Sequence, residues 1–184
     1  PNIGVYTNVN DSHVFIPNGF AKTKAENLAG YLKTDYLYAS VANTRLLGAL
    51  MVVNNHGLLL PNTSYQDELD HLKKSTGLNV AVLDTKHTAL RNMICANDKG
   101  AVVSHMIAKE DLKTIEDVLD VEVIQKKVAG YYQVGAMIVA TSHGGVIHPE
   151  TDDADIKAIS NVLCVNIEPA TINGGIPFVS SGIL

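Results

Sequence analysis

The sequence predicts an α/β protein: a closed ring of like units of about 44 residues, four of them complete and a fifth just begun. Three observations predict it. Four segments recur at near-constant spacing, each carries the same order of strand and helix patterns, and no complete unit has the polar face of an end cap.

The recurrence is clearest where each unit opens. Ile3-Gly4-Val5-Tyr6 leads to Ile16-Pro17, and Leu47-Gly48-Ala49-Leu50 leads to Leu60-Pro61. Leu90-Arg91-Asn92-Met93 leads to Val103-Ser104, and Val134-Gly135-Ala136-Met137 leads to His148-Pro149. Positions 4, 48, 91 and 135 are spaced by 44, 43 and 44 residues, and Val179-Ser180-Ser181-Gly182 opens a fifth copy. One domain over 1–184 therefore divides into units 3–46, 47–89, 90–133 and 134–178, with the start of a fifth at 179–184.

Within a unit the first two elements read as a β-hairpin. In the second unit the apolar run 47–53 meets Asn54-Asn55-His56-Gly57 and then Leu58-Leu59-Leu60. Asn97-Asp98-Lys99-Gly100 and Thr141-Ser142-His143-Gly144 fill the same turn. Asn, Asp and Gly tolerate the positive φ of a tight hairpin. Runs that are continuously apolar, not alternating, predict strands covered on both faces.

A helix follows. Leu69, Leu72, Ser75 and Thr76 recur as Leu112, Ile115, Val118 and Leu119, then as Ile156, Ile159, Val162 and Leu163. Ala25, Leu28, Tyr31 and Leu32 are the first-unit equivalents, and this spacing is one face of an α-helix. Thr23 with Glu26 has capping-box spacing, and Thr151 is placed to cap the fourth helix. A short strand closes each unit, as in Val121-Glu122-Val123-Ile124.

Such a unit cannot bury its apolar faces alone, so neighbours must stack, and closing the stack removes its ends and protects the strand edges. Strands should face the centre with helices outside. The period implies roughly 40 further residues after Leu184, and Pro1 points to a start upstream.

Composition narrows the function. Hydrophobic residues are 46% and charged residues 18%, a globular balance, and no apolar run is long enough to span a bilayer. Net charge is −5, with Lys73-Lys74 and Lys126-Lys127 the only adjacent basic pairs, so no basic stripe exists to neutralise a nucleic-acid backbone. Cys95 and Cys164 offer neither a disulfide framework nor zinc spacing, and Cys95 reads as a buried, inert thiol of a cytoplasmic protein.

Other chemistry finds no support in spacing. His56 and His143 share one turn position, and His143 with His148 lacks completing ligands, so no metal site is assigned. Asp152, Asp153 and Asp155 fit the first turn of a helix better than a calcium loop. The Gly144-Gly145 and Gly174-Gly175 pairs lack phosphate-loop spacing, so no cofactor is expected.

With the repeats aligned, several ungapped motifs stand in order: Gly57-Leu58-Leu59-Leu60-Pro61-Asn62-Thr63, Gln66-Asp67-Glu68-Leu69, Val134-Gly135 and Gly144-Gly145-Val146-Ile147-His148-Pro149. With Asp117-Val118-Leu119-Asp120-Val121-Glu122-Val123, they resemble the translation initiation factor 6 family, of archaeal type, from Ile3 to Leu184. The resemblance implies a pentein fold, five αβ units in a ring. It also implies a monomeric, non-enzymatic anti-association factor on the joining face of the large ribosomal subunit. Its partners would be ribosomal proteins near the sarcin–ricin loop with limited rRNA contact, and neither DNA nor membrane. The alternative is a pentein-fold enzyme that modifies guanidino groups with a Cys nucleophile in the fifth unit.

The resemblance places the ribosome-facing residues on the loops that lead into each unit. Here these are Asn43, Thr44 and Arg45; His87, Thr88, Arg91 and Asn92; Tyr131, Tyr132 and Gln133; and Asn173. Arg91 departs from the glycine usual before the family's asparagine, here Asn92. Adjacent tyrosines cannot both face a core, and exposed aromatics with Arg suit an interface.

Overall fold

In the computed structural model, which describes residues 2–184, the apolar run opening each unit is not one strand. It folds first as a single helical turn: α1 (Ile3–Tyr6), α3 (Leu47–Leu50), α5 (Leu90–Met93) and α7 (Val134–Met137). A short strand follows: β1 (Asn8–Val9), β4 (Val52–Val53), β7 (Ile94–Ala96) or β10 (Ile138–Ala140). The expected all-strand run is corrected here. A short run buried on every side has no periodicity to separate turn from strand, and contacts with the neighbouring unit choose the helical turn. A Cβ on Gly48 would lie 2.1 Å from the Gly4 carbonyl oxygen, and one on Gly135 would lie 1.9 Å from that of Arg91.

The second strands are β2 (His13–Pro17), β5 (Gly57–Pro61), β8 (Gly100–Ser104) and β11 (Gly145–Ile147). Eleven-residue helices come next: α2 (Lys22–Leu32), α4 (Gln66–Thr76), α6 (Lys109–Leu119) and α8 (Asp153–Leu163). Third strands are β3 (Asp35–Ala39), β6 (Asn79–Leu83), β9 (Glu122–Lys126) and β12 (Ile167–Pro169). Each unit thus makes one three-stranded mixed sheet. The hairpin pair is antiparallel (Val52↔Leu59), and the crossover through the helix makes the third strand parallel (Gly57↔Asn79). β5 and β8 are buried at every position, as their unbroken apolar runs predict.

The hairpin turns contain no residue with positive φ, contrary to expectation. Side chains at the first turn position shape them instead, Asn10, Asn54 and Asn97 in three units and Thr141, whose Oγ1 accepts from His143 N–H, in the fourth. Asn54 Oδ1 accepts from the N–H groups of His56 (3.0 Å) and Gly57 (2.9 Å), and Asn97 Oδ1 does the same for Lys99 and Gly100. The amide ends then reach across to the next unit. Asn54 Nδ2 donates to the carbonyls of Asn97 (3.1 Å) and Leu119 (2.8 Å), and Asn97 Nδ2 to those of Thr141 (3.0 Å) and Leu163 (2.8 Å).

The helix caps also differ from expectation. Ala21, not Thr23, precedes α2, and no side chain caps it. Asp152 caps α8 by accepting from Asp155 N–H (2.8 Å), one residue beyond Thr151, whose hydroxyl donates to the His148 carbonyl. Both errors are of one or two residues, where local signals for a helix start are weakest.

Three of the four cores lie between units. One joins Phe15, Ala39 and Val41 to Leu47, Leu58, Leu60 and Leu72; the next joins Leu59 and Leu83 to Ile94, Ile115 and Leu119. A third joins Cys95 and Val102 to Ile138, Ile159 and Leu163. Each buried Leu or Ile contributes roughly 1.5–3 kcal/mol, so most of that stabilisation exists only once neighbours stack. The fourth cluster packs α2 on β2 with Leu184 alongside. A 3₁₀ turn at Val179–Ser181 packs against both α7 and α1, and a Cβ on Gly4 would lie 2.0 Å from the Ser180 carbonyl oxygen.

Candidate functional site

Parallel pairing of second and third strands sends every third strand away from the hairpin turns. Because asparagine bonds link the turns of adjacent units, all units point the same way. The loops after β3, β6, β9 and β12 therefore gather at the opposite end of the stack, and these loops carry the predicted site residues.

The first loop is a type I′ turn. Ala42 (φ 51°) and Asn43 (φ 55°) are both left-handed, and Thr44 N–H donates to the Val41 carbonyl at 3.0 Å. For a residue with a side chain this conformation costs about 1 kcal/mol, and no glycine relieves it. Glu68, at the third position of α4, supplies the compensation. Its Oε2 accepts from Ala42 N–H (2.8 Å), its Oε1 from Asn43 N–H (2.9 Å), and Oε2 also accepts from Tyr65 N–H (3.0 Å). Burial raises its pKa, but the N–H groups of Tyr65, Asn43 and Ala42 with the Ser40 hydroxyl outweigh that and hold it below the ordinary glutamate value. Asn43 and Arg45 are exposed and Thr44 half-buried, with Leu46 exposed beside them.

The third loop has the same turn with a glycine in it: Ala129 (φ 50°) and Gly130 (φ 81°), closed by Tyr131 N–H to the Val128 carbonyl at 2.8 Å. At the position equivalent to Glu68, Asp155 pairs with Lys126 Nζ at 2.6 Å and leaves that turn's N–H groups alone. Tyr131, Tyr132 and Gln133 are exposed. Tyr131 meets Phe178 of the fourth loop edge-on at 6.1 Å and His148 at 5.6 Å, and Lys127 lies 4.1 Å over the Tyr132 ring. In the fourth loop Asn173 (φ 47°) precedes Gly174 (φ 82°), exposed and beside Gly182.

The second loop is built otherwise. It has no left-handed residue; Thr85 N–H bonds to the Leu83 carbonyl, and His87 Nε2 is buried with no hydrogen-bond partner. His87 and Thr88 are half-buried. The carboxylate at the Glu68 position here is Asp111. Its own burial, then Glu110 and Asp84, push its pKa up, so like charges meet where the first loop has a latch. Asn92 is half-buried on α5. Arg91 stands apart from the others, because it points into a central cavity of about 520 Å³ and donates to the Gly135 carbonyl at 2.9 Å.

The structure thus brings Tyr131, Tyr132 and Gln133 next to the fourth loop and sets Arg91 inward. Sequence reasoning missed Phe178, Ile176, Lys127 and Leu46, all exposed at the same end or over its aromatic rings. It also missed Glu68, although Glu68 stands within a motif singled out above. Among the described residues no group of three His, Cys, Asp or Glu side chains could hold a metal ion, and no helix is long and apolar enough to cross a membrane. Cys95 is buried, which pushes its thiol pKa up, whereas Cys164 is exposed.

A stack of like αβ units with aromatic, basic and amide side chains collected on loops at one end defines a repeat protein that presents a surface. Solved structures with this fold include a dimethylarginine dimethylaminohydrolase as its adduct with S-methyl-L-thiocitrulline. That enzyme has a TM-score of 0.58 and 11% identity over 90% of this chain and 68% of its own. An agmatine deiminase of C. jejuni has a TM-score of 0.50 and 12% identity, over 94% of this chain and 63% of its own. At such identities the likeness is one of fold. Sequence decides the family: the chain belongs to the eIF-6 family, which matches residues 1–184. It is 61% identical to Translation initiation factor 6 of Nitrosopumilus maritimus and of Cenarchaeum symbiosum, covering all of this chain and 83% of each relative. The Staphylothermus marinus factor is 34% identical over 187 aligned positions.

Proposed function

We propose that this chain is a ribosome anti-association factor. It binds the joining face of the large ribosomal subunit near the sarcin–ricin loop, chiefly through ribosomal proteins, and excludes the small subunit by its bulk. It acts in the cytoplasm as a monomer and catalyses no reaction. Membership of a translation-factor family carries this reading. The gathering of Asn43, Thr44, Arg45, Tyr131, Tyr132, Gln133 and Asn173 at one end of the stack supports it. His87, Thr88 and Asn92 lie on or beside the second loop of that end, and Arg91 would act from within, by holding α5 against α7.

The scaffold in this reading is a single domain over 1–184. Its units at 3–46, 47–89, 90–133 and 134–178 form a five-membered ring with a unit that opens at 179–184. Packing of the Val179–Ser181 turn between α7 and α1 supports that closure. The enzyme alternative is not carried forward, since the family and its relatives are translation factors.

Subunit joining followed by light scattering tests the reading. Added first to purified archaeal large subunits, the protein should abolish the scattering rise on mixing; added first to small subunits, it should leave the rise unchanged. Normal joining with no large-subunit binding would refute it.

A further inference from the structure

We infer that Glu68 is the positioning residue for the Asn43–Arg45 surface: its carboxylate latches the two left-handed residues of that turn from the neighbouring unit. The inference rests on the ribosome-binding reading and deepens it.

Two turns of one type are held in two ways. Ala129-Gly130 carries a Cβ at only one of its two left-handed positions, because Gly130 adopts positive φ without steric penalty, and Asp155 is engaged with Lys126 instead. Ala42-Asn43 has a Cβ at both left-handed positions. Both of its N–H groups converge on one carboxylate, at 2.8 and 2.9 Å, and Glu68 is 7% exposed, so water competes poorly for those bonds. Aspartate at the same helix position in the next two units makes no such pair with its loop: Asp155 is bound to Lys126, and Asp111 faces Glu110 and Asp84. Glu68 therefore sets where Asn43, Thr44 and Arg45 point while touching no partner itself. Another of its bonds, to Tyr65 N–H, starts α4, so one side chain ties the second unit's helix to the first unit's loop.

The test uses Glu68→Gln, which keeps the volume but supplies one acceptor in place of two, alone and combined with Ala42→Gly. Ala42→Gly leaves the Asn43, Thr44 and Arg45 side chains intact and relieves the left-handed strain. Amide hydrogen exchange at Ala42 and Asn43 should quicken about tenfold in Glu68→Gln, and large-subunit affinity should fall roughly fivefold as the competent turn becomes less populated. In the double variant, affinity should return to within about twofold of the unaltered protein. Thermal stability should stay lowered, because a glutamine NH2 in place of one oxygen still leaves part of the Ala42, Asn43 and Tyr65 N–H set without its acceptor. Unchanged exchange in Glu68→Gln overturns the latch. Weakened binding that Ala42→Gly fails to restore also overturns the inference, and assigns Glu68 to the helix alone. If the unaltered protein does not bind large subunits, the function reading fails, and with it the role given to this turn. The exchange data still report whether the latch exists, so the two failures stay distinguishable.

Discussion

The junction between the first and second units and the two junctions that follow it use one architecture with different contacts. At the later junctions the neighbouring helix lies hard against the second strand: a Cβ on Gly57 would stand 1.9 Å from the Val118 carbonyl oxygen, and one on Gly100 would stand 2.0 Å from that of Val162. Val118 and Val162 are accordingly buried. At the first junction His13 takes the glycine's place, and the matching helix residue, Ser75, is exposed. The side chain at one strand position therefore decides how closely a helix can approach. Where it cannot come close, the Glu68 latch is among the contacts that span the junction, beside the shared apolar core. In α2, the residue equivalent to Val118 is Tyr31, 86% exposed.

The comparison can be broken most directly at the glycines. Gly57→Ala or Gly100→Ala forces a Cβ into a backbone carbonyl and should cost about 3 kcal/mol in urea unfolding. His13→Ala should cost under about 1 kcal/mol. Equal costs would mean that the close approach is not what separates the junctions.

A smaller contrast lies in the turn asparagines. Asn97→Ala strips partners from the Thr141 and Leu163 carbonyls and from two turn N–H groups at a buried site, which should cost about 2–3 kcal/mol. Asn10 is half-buried; its Oδ1 accepts from Ser12 and His13 N–H at an exposed turn, but its Nδ2 reaches one carbonyl, that of Asn54 (3.1 Å), so Asn10→Ala should cost about 1 kcal/mol. Denaturant midpoints at constant slope would rank them, and a larger loss at Asn10 would reverse the assignment of the weaker junction.

The smallest effect is one of pH. Glu68 has a folded pKa below its ordinary value of 4.5, so its contribution to stability is complete above about that pH. As pH falls through the depressed value, the carboxylate takes up a proton and the contribution is lost. Melting temperature followed downward from pH 5 should fall more steeply in the unaltered protein than in Glu68→Gln. Parallel curves would show that the carboxylate contributes nothing at this junction.

Much of this was legible in the chain. Repeats of Leu28, Leu72, Ile115 and Ile159 at one helix face are a local record of burial, and they located all four long helices. The loops bearing Asn43, Tyr131 and Asn173 were singled out by the family resemblance, with the repeat serving only to align them. Glu68 was harder to see, because its partners are N–H groups 25 and 26 residues away and backbone donors leave no mark on a sequence. Arg91 was misplaced as a loop-facing residue because its direction depends on how α5 meets α7, not on its neighbours in the chain.

By itself, then, the sequence determined the hairpin–helix–strand order, the spacing of the repeats, the buried faces of α6 and α8 (though not of α2 and α4, where Tyr31 and Ser75 are exposed) and, through ungapped motifs, the family. Those properties are periodic or local, and a period survives in one dimension. Tertiary structure alone decided that the opening apolar runs coil into a turn before extending. It also decided that three asparagines and a threonine close the hairpins without positive φ, and that a glutamate from one unit holds the loop of another. Each of these depends on which backbone atoms of a neighbouring unit come within hydrogen-bonding or van der Waals reach, and that distance exists only after the units have stacked.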